Sequence, residues 1–175
     1  TLLYEAVCNK NVDIITYLLS KKADPNQRNS YESSPILAAA DNGYSECLKL
    51  IINAKADLKR TSKKCNGETA LYLAAFRDHS KCVKLLLKAK ASPNEKTIDG
   101  IYPIHNPIMK KYRKCLKYLL NAKASVNHLS IFSTPVYAAI EFNNIKALKM
   151  LLKRKANVNK KETMQIWTPL YLATG

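Results

Sequence analysis

The side chains able to do acid, base, nucleophilic or metal chemistry are three histidines, His79, His105 and His128, and five cysteines, Cys8, Cys47, Cys65, Cys82 and Cys115. A zinc site draws Cys and His at short fixed spacings, and the sequence has no Cys-x-x-Cys pair and no Cys/His ligand spacing. An odd number of cysteines at these spacings indicates no disulfide framework either. The histidines are scattered, there is no glycine-rich phosphate loop, and no acid/base constellation forms. The sequence therefore points to no enzyme, no metal, no cofactor and no small-molecule substrate. No apolar run approaches the roughly 18 residues of a membrane span, and no signal-peptide pattern opens the chain. Together with the cysteine usage, this predicts a reduced, intracellular setting, cytoplasmic or nuclear.

Charge is the stronger chemical signal. Residues 1–100 hold 16 basic and 11 acidic side chains, and residues 101–175 hold 13 and 2, so +5 of the net +16 lies in the first part and +11 in the second. Such an excess suits an acidic protein, nucleic acid or an anionic membrane, or simply keeps a long surface solvated. A chain of 175 residues with 47% apolar content can build a core, and one domain is the expectation.

The elements that carry these residues repeat. Segments beginning at Thr1, Ser34, Thr69, Tyr102, Thr134 and Thr168 share a pattern such as Thr134-Pro-Val-Tyr-Ala-Ala139, and start 33, 35, 33, 32 and 34 residues apart. Ser or Thr before Pro reads as a helix start, the hydroxyl capping an orphan N–H and Pro giving up a donor that had no partner. A second helix follows, with apolar residues at i, i+1, i+4 and i+5, as in Cys82, Val83, Leu86 and Leu87. A helix pair this short cannot bury its stripe alone, so neighbours must stack. Each of the first five units closes on an Ala-x-x-Asn-like ending, such as Lys22-Ala-Asp-Pro-Asn26.

These segments resemble the T-P-L-H-x-A motif of ankyrin repeats. The resemblance covers essentially the whole chain and implies an all-α solenoid of stacked helix-turn-helix units with projecting hairpin loops. The repeats run approximately 1–28, 29–63, 64–96, 97–128 and 129–162, with a partial sixth at 163–175. Missing caps at both ends suggest a fragment of a longer protein. The family motif implies Gly in a left-handed position after each second helix, and here Lys22, Lys55, Lys90, Lys123 and Lys155 stand there. A useful lysine ladder and inheritance by duplication both fit that repetition. The family His, which implies hydrogen bonds tying loops together, survives only as His105. Tyr4, Leu37, Tyr72, Tyr137 and Tyr171 replace it, so that either the Tyr hydroxyls take over or the loops are looser. Repeat four is expected to be distorted, since Tyr102 cannot cap as Ser or Thr would and Pro107 falls inside the helix.

The resemblance implies partner binding through the concave side, made of hairpin tips and the exposed face of each first helix. The tips offer Tyr31, Glu68, Ile98, Ile101, Ile131, Phe132, Met164, Ile166 and Trp167. The first helices offer Asp41, Asn42, Phe76, Arg77, Met109, Lys110, Glu141 and Phe142. Trp, Tyr and Arg are the types that dominate interface energy. On the outer face of the second helices, Lys81, Lys84 and Lys88, then Lys114 and Lys117, then Lys146, Lys149 and Lys153, form basic lines. Cys47, Cys82 and Cys115 share one core position in consecutive units, and helices stacked about 8–10 Å apart place them beyond disulfide reach. Cys8 and Cys65 are expected to be more exposed, with no base beside either. The reading is a protein-interaction module for an acidic macromolecular partner. The alternatives are repeats that target a catalytic domain outside this chain, and electrostatic binding to nucleic acid or anionic lipid through the basic face.

Overall fold

A computed structural model describes residues 1–62, 66–130 and 133–160. The sixth motif, from Thr168, lies outside the described residues. The chain forms two compact units, Thr1–Ser92 and Pro93–Gly175. In the first, helix pairs α1 (Leu2–Cys8) with α2 (Val12–Ser20), α3 (Pro35–Asp41) with α4 (Ser45–Asn53), and α5 (Ala70–Phe76) with α6 (Ser80–Lys88) stack in two rows. First helices pack on first helices and second on second. In the second unit, α7 (His105–Met109) with α8 (Arg113–Asn121) and α9 (Pro135–Glu141) with α10 (Ile145–Leu152) do the same. A two-residue antiparallel ribbon, β1 (Thr61–Ser62) and β2 (Glu68–Thr69), forms the hairpin before α5, pairing Thr61 with Thr69.

Capping follows the Ser/Thr starts with one exception. The hydroxyls of Thr1, Thr69 and Thr134 accept from the amides of Tyr4, Tyr72 and Tyr137 at 3.3, 3.2 and 3.3 Å. Ser34 does not cap α3, and its hydroxyl is buried without a hydrogen-bond partner among the described residues. The core is the predicted stripe: Leu48 and Ile51, Val83 and Leu86, Leu116 and Leu119, and Leu151 are fully buried or nearly so. Cys47, Cys82 and Cys115 are buried beside them. In α2 the stripe is only partly covered. Ile14 stands at the Cys47 position yet is 48% exposed.

All five lysines after the second helices are left-handed, with φ of 62, 60, 68, 61 and 59°. The turn they make is the same each time. Lys22 N–H donates to the Leu19 carbonyl and Ala23 N–H to that of Leu18, both at 3.0 Å, and the pattern recurs at Lys55, Lys90, Lys123 and Lys155. These are Schellman turns, which satisfy two orphan carbonyls and then hand the chain to the loop. The residue after each lysine is Ala, buried in four of the five cases. A second left-handed residue turns the chain between the two helices of each pair: Lys10, Gly43, Asp78, Lys111 and Asn143. At Gly43 a Cβ would lie 2.5 Å from Nδ1 of His79, whose Nε2 sits 2.9 Å from the Asp41 carbonyl.

The Asn of the repeat ending joins one repeat to the next. The Oδ1 atoms of Asn26, Asn94 and Asn127 accept from the backbone N–H of Asp57, Ser125 and Asn157, each at 2.8 Å, about one repeat further along. In repeat two the equivalent residue is Lys59, which cannot accept.

Repeat four is distorted as its sequence requires. α7 has 5 residues where α3, α5 and α9 have 7, and it starts at His105 rather than at Pro103. Pro107 has no N–H to give the carbonyl four residues back, so the first turn closes instead through His105 N–H to the Tyr102 carbonyl at 3.1 Å. Ile104 and Ile108 stay buried.

Left-handed lysine costs about 1–2 kcal/mol and its charge at the helix C-terminus returns about 0.3–1 kcal/mol. Lys55→Gly should therefore stabilise the first unit by about 0.5–1 kcal/mol, while Lys55→Ala keeps the strain, loses the charge and should destabilise it by about 0.3–1 kcal/mol. Urea denaturation of the two variants reads the difference. Gly43→Ala should destabilise by more than about 1 kcal/mol, because strain and the His79 ring act together.

Candidate functional site

Six of the predicted binding residues meet in the first unit. Tyr31, Asp41, Asn42, Glu68, Phe76 and Arg77 line one groove of about 400 Å³ between the first helices and the hairpins. Its position follows from the local fold. Asn29 Oδ1 accepts from the N–H groups of Tyr31 and Ser33, Glu32 turns left-handed at φ 58°, and Tyr31 is left 72% exposed at the tip. Phe76 and Arg77 close α5, and the Tyr72 ring stacks on Phe76 at 6.1 Å.

The charges inside the groove are organised. Arg77 Nε donates to Asp41 Oδ1 at 2.9 Å, and the guanidinium lies 5.5 Å from the Phe76 ring centre. Both members of the ion pair are solvent-accessible, so it orients the Arg fork rather than stabilising the fold appreciably. Burial, and then the nearby Asp41 carboxylate, push the Glu68 carboxyl above its ordinary value, with Arg77 opposing. The groove thus presents an aromatic edge, an oriented cation and a partly desolvated acid. That set suits a polypeptide bearing apolar side chains and hydrogen-bonding groups.

Tyr4, Ser33, Leu37 and Leu73 also line the groove and were not among the predicted binding residues. Tyr4 was legible as the family-His position. Its side chain lies against Ser33 of the next hairpin, and burial raises its hydroxyl pKa. Leu37 has no such group to offer.

In the second unit, Ile101 and Met109 are half-buried, Lys110 is exposed, Phe142 is 37% exposed and Ile98 is 70% exposed at the tip of a turn pinned by Thr97. Phe132, Met164 and Trp167, with Ile131, Ile166 and Cys65, lie outside the described residues. His105 is buried and structural. Its Nε2–H donates to the Ser133 carbonyl of the following hairpin at 3.1 Å, and Nδ1 lies 3.4 Å from the Tyr102 carbonyl. The Tyr102 ring centre also lies 4.3 Å from that of His128, the two planes tilted by 34°, and the His128 Nδ1 is buried without a partner among the described residues. Desolvation lowers the pKa of both histidines. The two carbonyls oppose it at His105, and the charges of Lys160 and Lys96 add to it at His128.

Burial pushes Cys82 up to about 11 and raises Cys47 as well, which disfavours the reactive thiolate. Among the described residues, no group of three or more His, Cys, Asp and Glu could hold a metal ion. No helix among them is long and apolar enough to cross a membrane.

The outer faces carry the predicted lysines in the open: Lys81, Lys84 and Lys88 in the first unit, and Lys114, Lys117, Lys146, Lys149 and Lys153 in the second. In the first unit they line a second groove, to which Lys49 of α4 also contributes. Lys49 was legible too, since it precedes Lys84 by the same 35 residues that separate Ser34 from Thr69.

Stacked helix pairs with projecting hairpins, and a groove lined by first helices, define a helical-repeat solenoid. The chain belongs to the ankyrin repeat family: the family model "Ankyrin repeats (3 copies)" matches residues 2–97, and "Ankyrin repeat" matches residues 133–162. The stretch between the two matches contains the distorted repeat four. The chain is 28% identical over 111 residues to "Putative ankyrin repeat protein FPV031" of Fowlpox virus (strain NVSL), a match covering 62% of this chain and 32% of that protein. The chain thus spans about a third of the length of that relative. The crystal structure of the human ASB11 ankyrin repeat domain superposes with a TM-score of 0.82 at 23% identity, covering 99% of this chain and 76% of that one, a likeness of fold. Ankyrin repeats generally bind proteins and are usually non-catalytic.

Because folding lowers the His105 and His128 pKa values, the unfolded chain takes up protons first. The second unit should be at full stability above the ordinary value of 6.5 and lose stability as pH falls through it. Thermal unfolding at about pH 7.5 and about pH 5 checks this, and the loss should shrink in the His105→Gln/His128→Gln double variant.

Proposed function

We propose that this chain is a protein-recognition module that seats its partner in the groove of Tyr31, Phe76 and Arg77, with no catalytic step of its own. The observation that carries this reading is the convergence of an exposed aromatic tip, a second aromatic and an oriented Arg on one concavity, the residue types and setting of interface hot spots. The exposed Phe142 and Ile98 of the second unit, with Ile101, Met109 and Lys110, offer a surface of the same kind on its own first helices and hairpins. The net charge of +16 favours a partner of acidic character by steering its approach. Cysteines buried as small core residues, as Cys47 and Cys82 are, fit a reducing, intracellular compartment.

Affinity capture with the wild-type chain, followed by titration of the partner recovered, tests the proposal. Tyr31→Ala and Phe76→Ala should each weaken binding by about tenfold or more, and Lys84→Ala by about threefold or less. Binding should largely survive a rise from about 50 to 200 mM salt, which would weaken phosphate-driven binding steeply. Equal effects of the aromatic and lysine variants, together with a steep salt dependence, would contradict the groove.

A further inference from the structure

The first unit has a second concavity on its opposite side, and the recognition reading above does not use it. It is a groove of about 580 Å³ across the outer faces of α4 and α6. Its floor includes Leu50 and Leu85, both half-buried, and its sides carry Lys49, Lys81, Lys84 and Lys88, all exposed. Glu46 contributes the one carboxylate, so the lining carries +3 from four lysines and one acid. The apolar floor lies recessed beneath the charges.

We propose that this outer groove is a docking site for an acidic amphipathic peptide helix, a second interaction surface distinct from the groove of Tyr31 and Phe76. The charge pattern selects that occupant. Lys81, Lys84 and Lys88 are spaced i, i+3 and i+7, about 10 Å along α6, and carboxylates two turns apart on a second helix match that length. Leucine-like side chains between those carboxylates reach Leu50 and Leu85, which adds an apolar contribution that a plain polyanion cannot make. Nucleic acid fits less well, because the groove lining offers no aromatic platform for a base and no Arg fork for base edges. A bilayer fits less well because insertion needs apolar groups that project beyond the lysines, whereas here they lie below them.

The test uses a fluorescein-labelled helical peptide with Glu on one face and Leu on the other, titrated against the whole chain. Its controls are the same peptide with Leu replaced by Ser, a single-stranded DNA of similar charge, and phosphatidylserine vesicles. The amphipathic peptide should bind, the Ser version should bind about fivefold more weakly or worse, and DNA and vesicles more weakly still. Lys49→Glu/Lys81→Glu/Lys84→Glu should reduce amphipathic-peptide affinity by about tenfold or more, and the milder Lys→Gln triple variant should follow in the same direction. Tyr31→Ala/Phe76→Ala should leave it unchanged, which separates this site from the other groove. The proposal is overturned by absence of peptide binding, by equal binding of the Ser version, by tighter binding of DNA or vesicles, or by loss of binding in the Tyr31/Phe76 variant with none in the lysine variants.

Discussion

The structure depends on one backbone turn made five times. Each second helix ends in a left-handed residue whose amide and that of its successor close onto the last free carbonyls, and without that reversal the chain could not begin the next hairpin one repeat away. That residue is a strained lysine in all five repeats. The strain is tolerated because the second-helix stripe and, in four of five repeats, the following Ala are buried, and because the repeat-ending Asn bonds the backbone of the next repeat. Where Asn is replaced by Lys59, that link is absent, and the stacking of α3 on α5 and of α4 on α6 holds the junction.

Periodicity made the fold legible, because a buried stripe and a capped start recur at nearly constant intervals and admit few other packings. The left-handed lysines were legible for the same reason: the position is dictated by the turn, not by the residue that fills it. What the sequence concealed is local and energetic. Ser34 has the residue type of a cap and makes no capping bond. Ile14 has the type and spacing of a core residue and is half-exposed. Spacing reports which face a side chain occupies, but not whether a neighbour covers it.

The candidate site divides along the same line. Tyr31, Glu68, Phe76 and Arg77 were separate positions in two hairpins and one helix, and stacking alone gathered them around a single concavity. The Asp41–Arg77 pair, which aims the guanidinium, joins residues 36 apart in sequence and could not be read from either motif. The outer lysines were visible as lines of charge. The recessed leucines that make them walls of a groove depend on how α4 and α6 pack. His105, chemically the most suggestive residue in the sequence, is occupied in bonding the next hairpin, which is why a titratable side chain here bears on stability.

The most direct test of the account is a hydrogen-exchange footprint of the first unit with and without a bound partner. The recognition reading predicts slowed exchange at the Asn29–Ser33 hairpin and at the Glu68–Thr69 edge and C-terminal end of α5 when the partner is present. A saturated complex in which those segments exchange as fast as in the free chain would contradict it.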